Sequence, residues 1–169
     1  MIFMSQSGII DPRREAEWDS WYLDHLRVML TVPGVNSAQR FTTSTPGFPR
    51  SLAMYTFASA AIFSDPYYLS IRGQGEWLPL LDKRHHHRNL FEGLAATPDV
   101  AADACLLVAD RTEPAAGLRA GFTWLKAVAI DRSTPYRGIA VVTQAAADDM
   151  AAEDVAVYRP VTARLMPRQ

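Results

Sequence analysis

Apolar positions near the start of the chain recur at helical spacing. With Trp18 set at zero and a step of about 100° per residue, Val28, Trp21, Val32, His25, Trp18, Met29, Tyr22 and Leu26 fall on one arc. Glu17, Ser20, Asp24 and Arg27 lie opposite. Such an arc faces a core, and His25 stands near its middle, where a leucine would be ordinary. A buried imidazole costs free energy unless it is hydrogen-bonded. It is therefore either a core residue tied to a backbone carbonyl or a functional group.

The helix opens at Asp11-Pro12 and stops at Pro33-Gly34, the acceptor-then-proline start and glycine end of a capped helix. Residues 2–10 before it read as a strand. Residues 35–43 and 51–58 read as two more, joined by the turn Thr45-Pro-Gly-Phe-Pro49. A second helical region is expected over 60–82, interrupted near Gly73-Gln74-Gly75, and a fourth strand over 85–94. The order β-α-β-β-α-β is the split βαβ unit of a ferredoxin-like half. Residues 105–169 repeat it in shortened form. Strands are expected at 105–110, 124–130, 139–144 and 156–165. Pro114–Gly121 is a short link in place of the long helix, and Ala146–Asp154 a stub of the second. The stretch 95–104 links the halves. An isolated sheet of this kind exposes a face that must be covered. The second half is expected to close a barrel with residues 1–94 and to be inseparable from them, so that any homodimer uses an outer surface.

The 169 residues, 49 % hydrophobic, suffice for one real core. A net charge of −1 gives no case for nucleic acid or an anionic membrane. No apolar run approaches the roughly 20 residues of a membrane span. The start Met1-Ile-Phe-Met-Ser-Gln-Ser lacks the pattern of a signal peptide. The single cysteine, Cys105, allows no internal disulfide and reads as core in the run Cys-Leu-Leu-Val. A cytoplasmic protein is expected.

Candidate chemistry gathers around His25. His85, His86, His87 and Arg88 are consecutive, but in a strand neighbours point to opposite faces, so His86 shares a face with Arg88 and His85 with His87. Two histidines without a third ligand make a poor metal site, and no metal is expected. Arg40 on the second strand either pairs with an acid or awaits a carboxylate or phenolate. Tyr55 alternates with Ala53 and Phe57, as core does. Asp65 caps a helix carrying Tyr67 and Tyr68, and Trp77 follows the glycine break as part of a lid. Gly73-Gln-Gly75 is too short for a nucleotide loop, and no hydrolase elbow occurs.

The ordered series Trp21-Tyr22-Leu-Asp-His25-Leu, Val32-Pro-Gly-Val, Gln39-Arg40-Phe41, Leu52-Ala-Met-Tyr55, Ser64-Asp-Pro-Tyr67-Tyr-Leu and Asp82-Lys-Arg…Phe91-Glu92 resembles the EthD-like group of the dimeric α/β-barrel superfamily. Arg27 stands where that motif has proline, and the triple histidine is outside it. The resemblance implies an α+β fold, with a ferredoxin-like half and its shortened repeat forming a dimeric α/β barrel within one chain. It also implies a pocket between the helix layer and the sheet, with His25 and Arg40 as its motif residues. Because such a fold hosts many chemistries, three activities are expected as alternatives. The first is a cofactor-independent lyase, dehydratase or isomerase acting on a small hydrophobic, aromatic or polyketide-like molecule. Here His25 is the acid–base group, and Arg40 or Arg88 holds charge. Trp18, Trp21, Tyr22, Tyr55, Tyr67, Trp77 and His86 form the pocket wall. The second is a haem-binding or cofactor-free monooxygenase, and the third a non-enzymatic accessory that binds a hydrophobic metabolite.

Overall fold

A computed structural model describes residues 1–114, 121–150 and 154–168. Among them are eight strands: β1 (Ile2–Ser7), β2 (Val35–Thr42), β3 (Ser51–Phe57), β4 (His87–Glu92), β5 (Ala104–Arg111), β6 (Thr123–Ile130), β7 (Tyr136–Thr143) and β8 (Ala156–Pro160). Every neighbouring pair is antiparallel. The strands close into one barrel in the order β1-β3-β2-β8-β5-β7-β6-β4, which leaves no sheet edge unpaired. Three α-helices accompany them: α1 (Glu15–Met29), α2 (Pro66–Ile71) and α3 (Gln144–Met150).

This corrects the expected α+β, ferredoxin-like, dimeric α/β-barrel class. The molecule is a closed eight-stranded antiparallel β-barrel, mostly sheet, with few helices. The helical region expected over 60–82 is where the expectation fails. Pro66, Gly73, Gly75 and Pro79 break it into 3-10 turns at 60–64 and 75–80 around the six-residue α2. Gly73 and Gly75 take φ of +103° and +50°, a backbone that continues no right-handed helix. Among the described residues only α1 is longer than two turns. The link at Pro114–Gly121 and the end of the stub at Ala146–Asp154 lie largely outside the described residues.

Other boundaries shift for local reasons. Asp11 caps a 3-10 turn, Pro12–Arg14, that leads into α1. The strand expected over 156–165 ends at Pro160; beyond it the chain stays on β2 through single contacts, Val161 N–H donating to the Arg40 carbonyl at 2.8 Å and Leu165 bridging Ala38. The strand expected from residue 85 begins at His87, because Lys83–His85 form a 3-10 turn capped by Asp82.

The barrel is filled by its own side chains. Ile2, Met4, Phe41, Leu52, Met54, Phe91, Leu106, Val108, Leu125 and Tyr158 pack inside it. The alternate residues of β1 and β3 (Phe3, Ala53, Tyr55 and Phe57) face outward under α1. Both strands are buried along their whole length, and β3, covered on both sides, reads as a nearly continuous apolar run. At one end of the interior, Arg137 is buried, with Nε and Nη2 both donating to Asp110 at 2.7 Å and Nη2 also to Gln6 at 2.7 Å. Elsewhere in the barrel wall the segment after β4 is pinned: Gln39 donates to the Val100 carbonyl at 2.7 Å and accepts from its N–H at 3.3 Å. A smaller outer core under α3 joins Cys105, Leu107, Ala140, Ala147 and Val155. No described helix is long and apolar enough to cross a membrane.

Candidate functional site

The buried seam of α1 is Trp18, Tyr22, Leu26 and Met29. That spacing centres the helix slightly away from the arc read from the sequence. Val28 is 40 % exposed, and Trp21 and His25 are half-buried at the seam's margin rather than at its middle. The shift has a consequence for His25. Its ring does not sink into the sheet; it overhangs a cavity of about 220 Å³ between α1 and the outer face of β1, β3 and β4.

The cavity is built from four sources. From α1 come Tyr22, His25 and Met29, and from the strands Phe3, Ser5, Tyr55 and Arg88. His86, at the entrance to β4, joins Arg88 on the same wall. Tyr68 of α2 and the following Arg72, Gly73, Gln74 and Leu78 complete it. Arg72 and Gly73 are exposed and Leu78 is 60 % exposed, so these three form the mouth. Phe3 and Tyr55 are buried at the base.

His25 lies flat on Trp21, with ring centroids 4.9 Å apart and planes within 9°, and meets Tyr22 edge-on at 5.9 Å. Among the described residues neither ring nitrogen has a hydrogen-bond partner, so the reading of a core histidine tied to a carbonyl does not hold. Burial lowers its pKa to about 4, because desolvation penalises the imidazolium. His86 is lowered as well, first by burial and then by Arg88. The Tyr55 phenol is pushed well above its usual range by burial and by its neighbours Tyr22 and Tyr68, and Tyr68 is raised by burial too. Near neutral pH the cavity therefore presents neutral imidazoles and neutral phenols beside guanidinium groups. Two buried atoms on its wall, His86 Nδ1 and Arg88 Nε, meet no hydrogen-bond partner among the described residues.

Of the residues expected to form the site, Tyr22, His25, Tyr55, His86 and Arg88 do meet at the cavity. Others serve elsewhere. Arg40 is not on the lining. Its Nη2 donates to Asp19 Oδ1 at 2.5 Å and its Nε to Ser51 at 3.1 Å. Its guanidinium lies 4.5 Å from the Tyr22 ring centroid and 5.0 Å from that of Trp18. It fastens α1 to β2 behind the cavity. Trp18 is buried beside it, with its indole N–H directed to Gln74 at 3.4 Å. Trp77 is buried under Arg14, whose guanidinium stands 4.4 Å above the ring, and its indole nitrogen has no partner among the described residues. Trp21 backs His25 rather than the cavity. Tyr67 is 46 % exposed, and its hydroxyl pairs with Thr31 at 2.8 Å.

Tyr68 takes the place expected of Tyr67. Adjacent residues on a helix point about 100° apart, so only one of the two tyrosines can face the sheet, and a six-residue helix carries too little pattern to say which. Ser5 and Gln74 were also not foreseen. Their signal is weak, since a serine on a strand and a glutamine between glycines suit a turn or an edge equally. Among the described residues no three His, Cys, Asp or Glu side chains gather as metal ligands. Two larger surface grooves exist, of about 440 Å³ beside Thr43 and Arg159 and about 880 Å³ beside Val28 and Met166. Neither is lined by a histidine, so the α1 cavity is where titratable chemistry and enclosure coincide.

Compared with protein-family models, with curated proteins and with solved structures, the chain matches none. The likeness to the EthD-like group therefore rests on the sequence motifs alone.

Proposed function

We propose that the protein is an enzyme of small-molecule metabolism, catabolic or secondary, that moves a proton on an apolar, aromatic or polyketide-like substrate without a redox cofactor. The observation that carries this reading is the overhang of a neutral, unpartnered His25 above a closed-in cavity that also holds Arg88 and three tyrosines. His25 would take a proton from carbon next to a carbonyl and return it to another carbon or to a departing hydroxyl, the steps of an isomerase or a dehydratase. Arg88 would hold an enolate or carboxylate charge, and the tyrosine hydroxyls would donate to the reacting oxygen. A pKa of about 4 makes the free ring a weak base. Negative charge developing within a few ångströms favours the imidazolium, so the ring gains basicity as the enolate forms and releases the proton readily afterwards.

The test uses 2-tetralone, a two-ring ketone, in heavy water, with loss of its α-proton signals followed by NMR. The protein is expected to accelerate exchange by at least about a hundredfold, the lower end of what a positioned acid–base group supplies. His25→Ala is expected to fall to the buffer rate while keeping its fold. Exchange by that variant at the wild-type rate would end the proposal. The stacking of His25 on Trp21 favours a second reading, an accessory protein that binds a hydrophobic metabolite with His25 as a flat wall. Ligand binding without any exchange would select it. At interior packing density, ~0.74, the cavity takes about 160 Å³ of ligand. A porphyrin is several times larger than that.

A further inference from the structure

We infer that the cavity's ligand is an organic monocarboxylate of about two fused rings, with its carboxylate seated on Arg88 and His86. The inference rests on the reading of the cavity as a substrate site and names the class of molecule it takes.

Three observations carry it. First, the wall holds buried polar atoms with nothing to bond. Arg88 Nε and His86 Nδ1 lie on one face of the same strand entrance, and neither has a partner among the described residues. A guanidinium N–H left unpaired in a protein interior costs free energy that an oxygen acceptor recovers. Second, the charge is one-sided. The lining includes two arginines, Arg72 and Arg88, and no aspartate or glutamate. The acid nearest Arg88 is Asp131, which stands 3.6 Å from Nη2 and accepts the Arg88 backbone N–H at 2.8 Å. Both partners of that pair are about a third exposed. The contact involves Nη2 and leaves Nε without a partner. Third, Arg72 is exposed at the mouth, where a cation raises the local concentration of anions. The remaining surface is flat and aromatic, with Phe3, Tyr22 and Tyr55, and the volume suits two fused rings. With the carboxylate on Arg88 and His86, the phenol groups are left for the reacting oxygen and His25 for the proton.

The probes are 1-naphthoate and its neutral, nearly isosteric amide, 1-naphthamide, titrated into the intact protein at pH 7 by calorimetry. Wild type is expected to bind the carboxylate at least about tenfold more tightly, the scale of one charge-assisted hydrogen bond. Arg88→Gln is expected to abolish that preference while still binding the amide measurably, which also reports that the variant is folded. Should Arg88→Gln fail to fold, Arg88→Lys reads the same contact. It keeps the charge but lacks the Nε–H, and its preference is expected to drop several-fold. Equal affinity of wild type for the two probes, no binding of either, or full preference in the arginine variant would overturn the inference. His25→Gln separates it from the catalytic reading. Carboxylate preference retained without proton exchange in any variant would leave the anion seat standing and retire the enzyme. Exchange with no carboxylate preference would do the reverse.

Discussion

Replacing His25 with Leu should remove a large part of the protein's sensitivity to mild acid. The imidazole titrates near 6.5 in an unfolded chain and at about 4 in the folded one. Between those values the unfolded state binds more protons, so stability falls as pH falls through that window and is unaffected by this group above it. At pH 4.5 the linkage amounts to about 2 kcal/mol relative to neutral pH. His86 contributes in the same direction, and carboxylates such as Asp82, held at about 2 by the Arg84 side chain, lose their pairing at lower pH. These terms are common to both proteins and cancel in the comparison. Urea unfolding followed by tryptophan fluorescence at pH 7.0, 5.5 and 4.5 measures it. Relative to wild type, the leucine variant is expected to gain about 2 kcal/mol more at pH 4.5 than at pH 7.0, with the difference opening below pH 6.5. Parallel pH curves for the two proteins, or an imidazole NMR titration near 6.5 in the wild type, would refute the reasoning. Either would mean that water reaches the ring and that the cavity is no desolvated site.

Three further outcomes follow from the packing. Arg40→Met should cost about 2 kcal/mol in urea unfolding, through lost stacking on Trp18 and Tyr22 and the lost bond to Ser51, while 1-naphthoate affinity stays within about twofold. A tenfold loss of affinity at unchanged stability would instead place Arg40 at the ligand. Arg137→Met should cost about 2 kcal/mol through the lost bonds to Gln6 and to the partly exposed Asp110, and adding Asp110→Asn should recover only part of the loss; a neutral single variant would show the pair to be idle. Truncation after Ala102 uncovers the barrel interior at Ile2, Met4, Phe41, Leu52 and Met54 and opens edges on β2 and β4, so gel filtration should show an aggregated or oligomeric fragment. A folded, active 1–102 monomer would contradict the packing argument.

Local pattern was enough to locate α1, the approximate positions of the eight strands and a histidine placed against type on an apolar arc. Each of these depends on residues close together in the chain: Asp11-Pro12 and Pro33-Gly34 punctuate α1, and paired apolar runs mark β1 and β3. Composition likewise pointed to one real core. Tertiary structure decided the rest. Whether 60–82 forms a helix layer depended on how Pro66, Gly73, Gly75 and Pro79 settle against the sheet, and they settle as turns, leaving a β-barrel with one long helix. Which of two adjacent tyrosines faces the cavity depended on the docking of α2. Arg40 and Arg88 are both strand arginines and look equivalent in sequence. Arg40 is used up by Asp19, 21 positions away, whereas Asp131 stands 3.6 Å from Arg88 Nη2 and leaves Nε without a partner. Pairing between charges distant in sequence is settled by where the folded backbone brings them, and the hydrophobic pattern that drives the backbone together carries no record of which arginine will find an acid.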